Sequence, residues 1–218
     1  RRQLQYRAVQ RLVWIGDESK QPTGERAMTL SLQSGTNKGI ALAQLGQMLD
    51  YPGILANSSA DFSENIHRLV LSVSAAYPSS SCGAAKHLAK FDAACKKLPI
   101  GEMEELYTRT FDLAALCSLY VTGYIFGDEN FDRGTVMAKL SDRFRELGYD
   151  TAGELPDHLS VLLRFASWLD EEALNELVVL CLLEPVGEMT KQLNKDDNPY
   201  FYLLSAIQAV LKVDHPGV

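Results

Sequence analysis

Three observations predict an all-α fold, a bundle of about seven to eight helices in one domain. Apolar residues recur at three- and four-residue spacing from Lys38 to the end of the chain. Proline and glycine punctuate those runs at Tyr51-Pro52-Gly53, Tyr77-Pro78, Leu98-Pro99 and Gly148. The length of 218 residues, with 46% hydrophobic and 22% charged residues, suits one core of ordinary size.

In the first helix Ile40, Leu42, Leu45, Met48 and Leu49 share a face, and the run stops before Pro52, which denies both a donor and an α conformation to its neighbour. Ser58-Ser59 can cap a second helix that carries Phe62, Ile66, Leu69, Val70 and Val73 up to Tyr77-Pro78. After the polar loop Ser79 to Gly83, a third carries Ala84, Leu88, Phe91 and Ala94. Lys96 and Lys97 sit at the negative end of its dipole. Acidic Glu102, Glu104 and Glu105 open a fourth segment with a nearly continuous apolar band from Met103 through Leu106, Tyr107, Phe111, Ala114, Cys117 and Val121 to Ile125. Read as one helix to about Phe126 it spans roughly 37 Å and is central. Its aromatic residues Tyr107, Phe111, Tyr120, Tyr124 and Phe126 suit core packing by default and a partly exposed groove as the alternative.

A polar turn at Gly127 to Asn130 precedes a fifth helix with Val136, Met137, Leu140, Phe144 and Leu147, closed by Gly148. Asp132-Arg133 at its start reads as a solvated pair, worth little in water. In the sixth, Asp157 stands just before Leu159, Val161, Leu162, Phe165 and Trp168, where a helix N-terminus favours a carboxylate acceptor. It therefore reads as the N-cap or a first-turn acid, beside a partly exposed His158. A seventh helix, Glu171 to about Leu193, should be kinked or split at Pro185. Asp196-Asp197-Asn198-Pro199 starts the last, with Tyr200, Leu203, Leu204, Ile207, Val210 and Leu211 on its core face.

Residues 1–37 read differently, as a basic arm ahead of the helical domain 38–218. Arg1, Arg2, Arg7, Arg11, Lys20 and Arg26 against Asp17, Glu18 and Glu25 give residues 1–27 a net charge of +3. The whole chain carries −7, so the remainder carries −10. Leu4, Tyr6 and Ala8 alternate, as do Met28, Leu30 and Leu32, which suits a β-hairpin or extended arm, while Val9, Leu12 and Val13 fit a helix equally well. Met28 as a natural start would make residues 1–27 an upstream extension or a cloning remnant. Arg1-Arg2-Gln3-Leu4 is similar to the opening of a twin-arginine export signal. Arg7, Gln10 and Arg11 fall where an apolar stretch is required, so no export is expected.

The acidic balance, with a pI near 5.1, argues against a phosphate-neutralising surface and so against nucleic acid as a partner, and favours a basic peptide or protein segment. No apolar run approaches the roughly 18 residues of a membrane span. Cys82, Cys95, Cys117 and Cys181 lie far apart and lack metal-clip spacing, which reads as reduced structural thiols and a cytoplasmic address. His67, His87, His158 and His215 are scattered, and no metal site is expected. Phosphate-binding glycine loops and a Gly-x-Ser-x-Gly elbow are absent. The enzyme alternative is a helical metal-dependent hydrolase of the His-Asp type. Its ligands must converge from several segments, and Asp157-His158 has the reverse order.

Three stretches, taken in order, carry a resemblance. Glu105 to Asp112 (ELYTRTFD), Gly127 with Asp132 to Met137 (DRGTVM), and Glu154 to Leu159 (ELPDHL) resemble the NarJ branch of the TorD-like chaperones, over about Ile40 to Leu211. The resemblance implies a non-enzymatic, single-domain, all-α cytoplasmic chaperone that stably binds no cofactor itself. Its partner would be the N-terminal segment of an apo molybdenum-oxidoreductase catalytic subunit, held until molybdopterin guanine dinucleotide is inserted and kept from premature export or membrane attachment. It nominates Tyr107, Phe111, Asp112, Arg133, Leu155, Pro156, Asp157 and His158 as peptide-binding residues. A groove lined by aromatic rings with acids on its rim would accept an apolar peptide face and its arginines. The arm of residues 1–37 departs from the family pattern. It is expected to contact another subunit, in a monomer or dimer, or to fill the chaperone's own groove.

Overall fold

In the computed structural model the described residues are 36–56, 58–127, 131–194 and 197–213. The hairpin, helix and export-signal readings of the arm lie outside them. The described residues are helical, with no strand and one isolated antiparallel bridge, Tyr120 to His158. The expected all-α class holds, but the apolar runs are cut into more and shorter pieces than expected.

Helix α1 (Asn37–Gln47) is capped by the Thr36 hydroxyl, which accepts from the Gly39 amide at 3.0 Å. A single turn, α2 (Pro52–Leu55), opens on Pro52. Helix α3 (Ser59–Ala76) is capped by Ser58, whose hydroxyl accepts from the Asp61 amide at 3.2 Å and donates to the Asp61 carboxylate at 2.6 Å. Helices α4 (Ala84–Cys95) and α5 (Ile100–Tyr107) follow, α5 running into a π-helical turn at Thr108–Asp112. After an irregular stretch come α6 (Val121–Phe126) and α7 (Phe131–Leu147). The end of α7 is a Schellman turn on Gly148 (φ +68°): the Gly148 amide donates to the Arg145 carbonyl and the Tyr149 amide to the Phe144 carbonyl. Helix α8 (Leu159–Phe165) continues into a 3-10 turn at Ala166–Trp168, and Asp170 caps α9 (Glu171–Leu177).

Pro185 splits the seventh run as anticipated. The break is a π turn at Val178–Leu182 ahead of α10 (Leu183–Gln192), which places Pro185 in the first turn, where its missing amide costs least. The Asn198 side chain starts α11 (Tyr200–Lys212) by accepting from the Tyr200 amide at 3.0 Å.

Two expectations about the fourth run are corrected. It is not one helix of some 37 Å, because α5 ends in the π turn, Leu113 turns extended and Ala114 takes a left-handed conformation (φ +50°) before α6 begins. Nor is it the central element. The core closes around α8, buried in all but Arg164, and α11, buried over most of its length, with α11 against α4 and α10, and α8 against α1. The physical reason is competition for backbone partners: the amides of Cys117, Val121 and Leu159 bond to the carbonyls of Thr110, Asp157 and Leu119 at 2.8–3.0 Å, so segment 119–121 pairs with 157–159 instead of continuing a helix.

Helices α1 and α8 run antiparallel at close range because glycines face the contact. A Cβ on Gly39 would meet the Ala166 carbonyl oxygen at 2.6 Å, and one on Gly46 the Ser160 carbonyl oxygen at 2.8 Å. Gly39→Ala should therefore push α1 off α8 and cost about 1–3 kcal/mol in urea denaturation. Gly101→Ala on α5, where an added methyl meets nothing within 4 Å, should leave the midpoint unchanged or slightly raised.

Candidate functional site

The nominated residues converge at one end of the α1–α8 pair, where the irregular stretch 113–120 meets the loop 149–158. The centre is a buried carboxylate. Asp157 is 0% exposed; the Thr122 hydroxyl, from the first turn of α6, donates to its Oδ2. Arg133, from the first turn of α7, donates through Nε to the Thr122 hydroxyl oxygen at 3.0 Å and holds Nη2 at 3.7 Å from the same carboxylate oxygen. Asp157 Oδ1 has no hydrogen-bond partner among the described residues, so the opposing guanidinium is what offsets the cost of burying the charge. This pin joins the starts of α6 and α7 to the loop before α8.

Three sequence readings are corrected here. The cap of α8 is His158, not Asp157: its Nδ1 accepts from the Ser160 amide at 3.3 Å and lies 2.9 Å from the Ser160 hydroxyl. Asp157 is one residue too early to cap, and its carboxylate points into the Thr122–Arg133 pair. His158 is buried rather than partly exposed, its ring edge-on to Tyr120 at 5.4 Å. Arg133 is no solvated partner of Asp132 alone but spans α7, α6 and the loop. Because Nδ1 accepts from an amide, the neutral ring carries its proton on Nε2, a tautomer inferred from these partners. Burial pushes the His158 pKa down, against the opposing pull of the Glu154 and Asp157 carboxylates.

The other nominated residues divide by depth. Tyr107 and Phe111 are buried in an aromatic cluster, their centroids 5.0 Å apart and 5.8 and 5.0 Å from Tyr200, with Tyr51 edge-on to Tyr107. The default core reading thus holds for this pair. Asn198 holds the π turn to the start of α11 by donating to the Thr110 hydroxyl at 2.7 Å. Pro156 is buried, while Leu155 is 44% exposed and Asp112 is exposed.

On the solvent-facing side of this end, exposed leucines stand next to acids in the chain. Leu113 and Leu116 are 74% and 56% exposed, the first next to Asp112; Leu155 adjoins Glu154. Burial first, and the charge of Glu154 second, raise the Asp112 pKa. The Tyr120 hydroxyl donates to Glu154 Oε1 at 3.4 Å. Burial, then Glu154, Asp157 and Asp112, raise its pKa. Deeper, Asp50 pairs with Arg164 at 3.3 Å, and burial still lifts its pKa.

Sequence reasoning missed Thr122, Tyr120, Glu154, Leu113 and Leu116 as members of this site. Tyr120 was visible only as one ring in an aromatic stripe, and Thr122 had no signal inside a presumed continuous helix. Glu154 stood in the quoted ELPDHL motif. The three histidines in the described part go to separate places: His67 to Asp92 at 3.0 Å, His87 stacked on Tyr202, and His158 here. Among the described residues no group of three His, Cys, Asp or Glu side chains could hold a metal ion.

A family model described as nitrate reductase delta subunit matches residues 77–204, a span that contains the whole site from Tyr107 to His158. The probable nitrate reductase molybdenum cofactor assembly chaperone NarJ of Bacillus subtilis is 33% identical over 109 residues, 50% of this chain and 58% of that protein. The nitrate reductase-like protein NarX of Mycobacterium tuberculosis is 33% identical over 104 residues, 46% of this chain and 15% of that protein. The matches thus cover less than two thirds of either relative.

Two tests follow from the pin. Thr122→Val and Asp157→Ala should each cost about 1.5–3 kcal/mol in urea denaturation, and the double variant little more than the larger single loss, because both remove the same buried contact. A lone surface cap would show no such coupling. The second concerns pH. With its folded pKa below the ordinary imidazole value of about 6.5, His158 contributes stability that is level above that value and falls as pH drops through it, since the unfolded chain then binds the extra proton. His87, also lowered by burial and by Lys90, adds to the same slope. His158→Gln should flatten part of the decline in melting temperature between neutral and mildly acidic pH.

Proposed function

The chain belongs to the nitrate reductase delta subunit family, and from that premise we propose that it is a system-specific cytoplasmic chaperone. Its client is the apo catalytic subunit of a molybdenum-containing, nitrate reductase-type enzyme. The chain binds the client's N-terminal segment and holds the subunit competent for insertion of molybdopterin guanine dinucleotide. It makes and breaks no covalent bond and stably binds no cofactor. The relative from Bacillus subtilis, named as a molybdenum cofactor assembly chaperone, supports the reading.

The observation that carries it is the apolar surface at Leu113, Leu116 and Leu155 with Asp112 and Glu154 on its rim, inside the family-matched span. Exposed leucines gain by covering a peptide's apolar face, roughly 25 cal/mol per Å² buried. The two carboxylates, which repel each other when the site is empty, gain by facing an arginine or lysine of that peptide. In this reading Asp112 and Leu155 touch the client. Arg133, Pro156, Asp157 and His158 position the loop beneath it, and Tyr107 and Phe111 support the turn that presents Leu113.

Titration of the full chain with a synthetic peptide of a nitrate reductase catalytic subunit's N-terminal segment tests this. Binding should weaken with added salt. Asp112→Asn combined with Glu154→Gln should weaken it about tenfold, at rim-pair strengths of up to about 1 kcal/mol each, with an undiminished melting temperature. Equal affinity in the double variant sinks this site. The hydrolase alternative predicts turnover that responds to added divalent metal; no hydrolysis is expected with or without it.

A further inference from the structure

We propose that residues 1–15 of this chain act as an intramolecular placeholder, occupying in cis the acid-rimmed apolar surface at Leu113, Leu116 and Leu155 until a client displaces them. The inference rests on the reading of that surface as the client site and adds its regulation.

Charge and composition select the occupant. Residues 1–15 (RRQLQYRAVQRLVWI) hold Arg1, Arg2, Arg7 and Arg11 and no acid, interleaved with Leu4, Tyr6, Val9, Leu12, Trp14 and Ile15. These are the two chemistries the surface lacks: cations for Asp112 and Glu154, and apolar side chains for the exposed leucines. The rest of the chain, at −11, attracts such a segment from any direction, and the rim focuses the attraction.

The tether fits the span. Helix α1 begins next to Thr36, with Gly39 at the Ala166–Ser167 end of α8, and runs so that Gly46 reaches Ser160, beside His158 and the loop of the site. Thr36 is thus about one α1 length, roughly 16 Å, from that end of α8. Residues 16–35 lie between the arginine-rich segment and Thr36 and include Gly16, Pro22, Gly24 and Gly35. By random-coil statistics twenty residues have an r.m.s. reach of roughly 25 Å. A tether whose reach matches the span gives an effective concentration of about 1 mM, so even a weak arm competes with a client.

Tryptophan fluorescence of the full chain tests the proposal. The chain has two tryptophans, Trp14 and Trp168, so Trp168→Phe leaves Trp14 as the only reporter. Its emission should be that of a covered indole, unchanged on dilution. It should move to that of an indole in water when Asp112→Lys and Glu154→Lys reverse the rim, with the melting temperature of each variant checking the fold. In the otherwise native chain, Arg7→Glu with Arg11→Glu should tighten the apparent Kd for the client peptide about tenfold, taking an arm of intrinsic Kd about 0.1 mM at that effective concentration. Three results overturn the placeholder: a water-exposed Trp14 in the parent chain, emission indifferent to the reversed rim, or a shift on dilution, which would assign the arm to a second copy. The chaperone reading is judged separately. A client peptide that binds while Trp14 is exposed throughout leaves that reading standing and removes the arm. A Trp14 released by the reversed rim in a chain that binds no client peptide keeps the arm and removes the chaperone reading.

Discussion

A buried carboxylate organises the functional end of this molecule. Asp157 is withdrawn from water and holds the first turn of α6 through Thr122 and the first turn of α7 through Arg133. Its own carbonyl accepts the Val121 amide, while Leu119 accepts the Leu159 amide. Side-chain and backbone contacts therefore act on the same few residues. An ionised group buried this way is tolerable only if its partners stay in place, which makes the relative position of three short elements a condition of stability. The pin adds to apolar packing, in which α6 lies against α10 and the π turn before it and α7 places Phe144 against Phe165 of α8.

That constraint explains why an apolar run with helical spacing leaves part of its apolar surface in water. Segment 119–121 is drawn to 157–159, and the preceding residues turn through Leu113 and the left-handed Ala114 instead of winding on. Leucines left uncovered by the described residues carry a cost until something covers them. The Asp112 charge is disfavoured as well, first by burial and second by Glu154, which together raise its pKa. Both are relieved by one kind of partner, a cationic and apolar segment. Under the proposed function that partner is the client's N-terminal segment.

Beneath it the support is rigid. The ring cluster of Tyr51, Tyr107, Phe111 and Tyr200 ties the π turn to α2 and α11, and the Asn198–Thr110 hydrogen bond closes the same joint with polar atoms. On the far side the glycine contacts of α1 bring its backbone against α8. Flexible chemistry at the surface is carried by an inflexible base, which lets a loop hold exposed apolar residues without collapsing onto them.

Local signals written into the sequence determined most elements: the Ser58 cap, the stop before Pro52, the glycine ending of α7, the split around Pro185 and the asparagine-led start of α11. Each depends on residues within a turn of one another, so periodicity and capping chemistry suffice. The motif residues Asp112, Arg133 and Asp157 were legible as a set, although their geometry was not. Only the tertiary structure decided that the fourth run breaks, that His158 rather than Asp157 caps α8, and that Thr122 and Glu154 belong to the site. Those outcomes turn on a carboxylate and an amide choosing between a local partner and one more than thirty residues away. Helical spacing is indifferent to that choice, because a stripe records which residues are apolar and not which backbone groups find a better partner elsewhere.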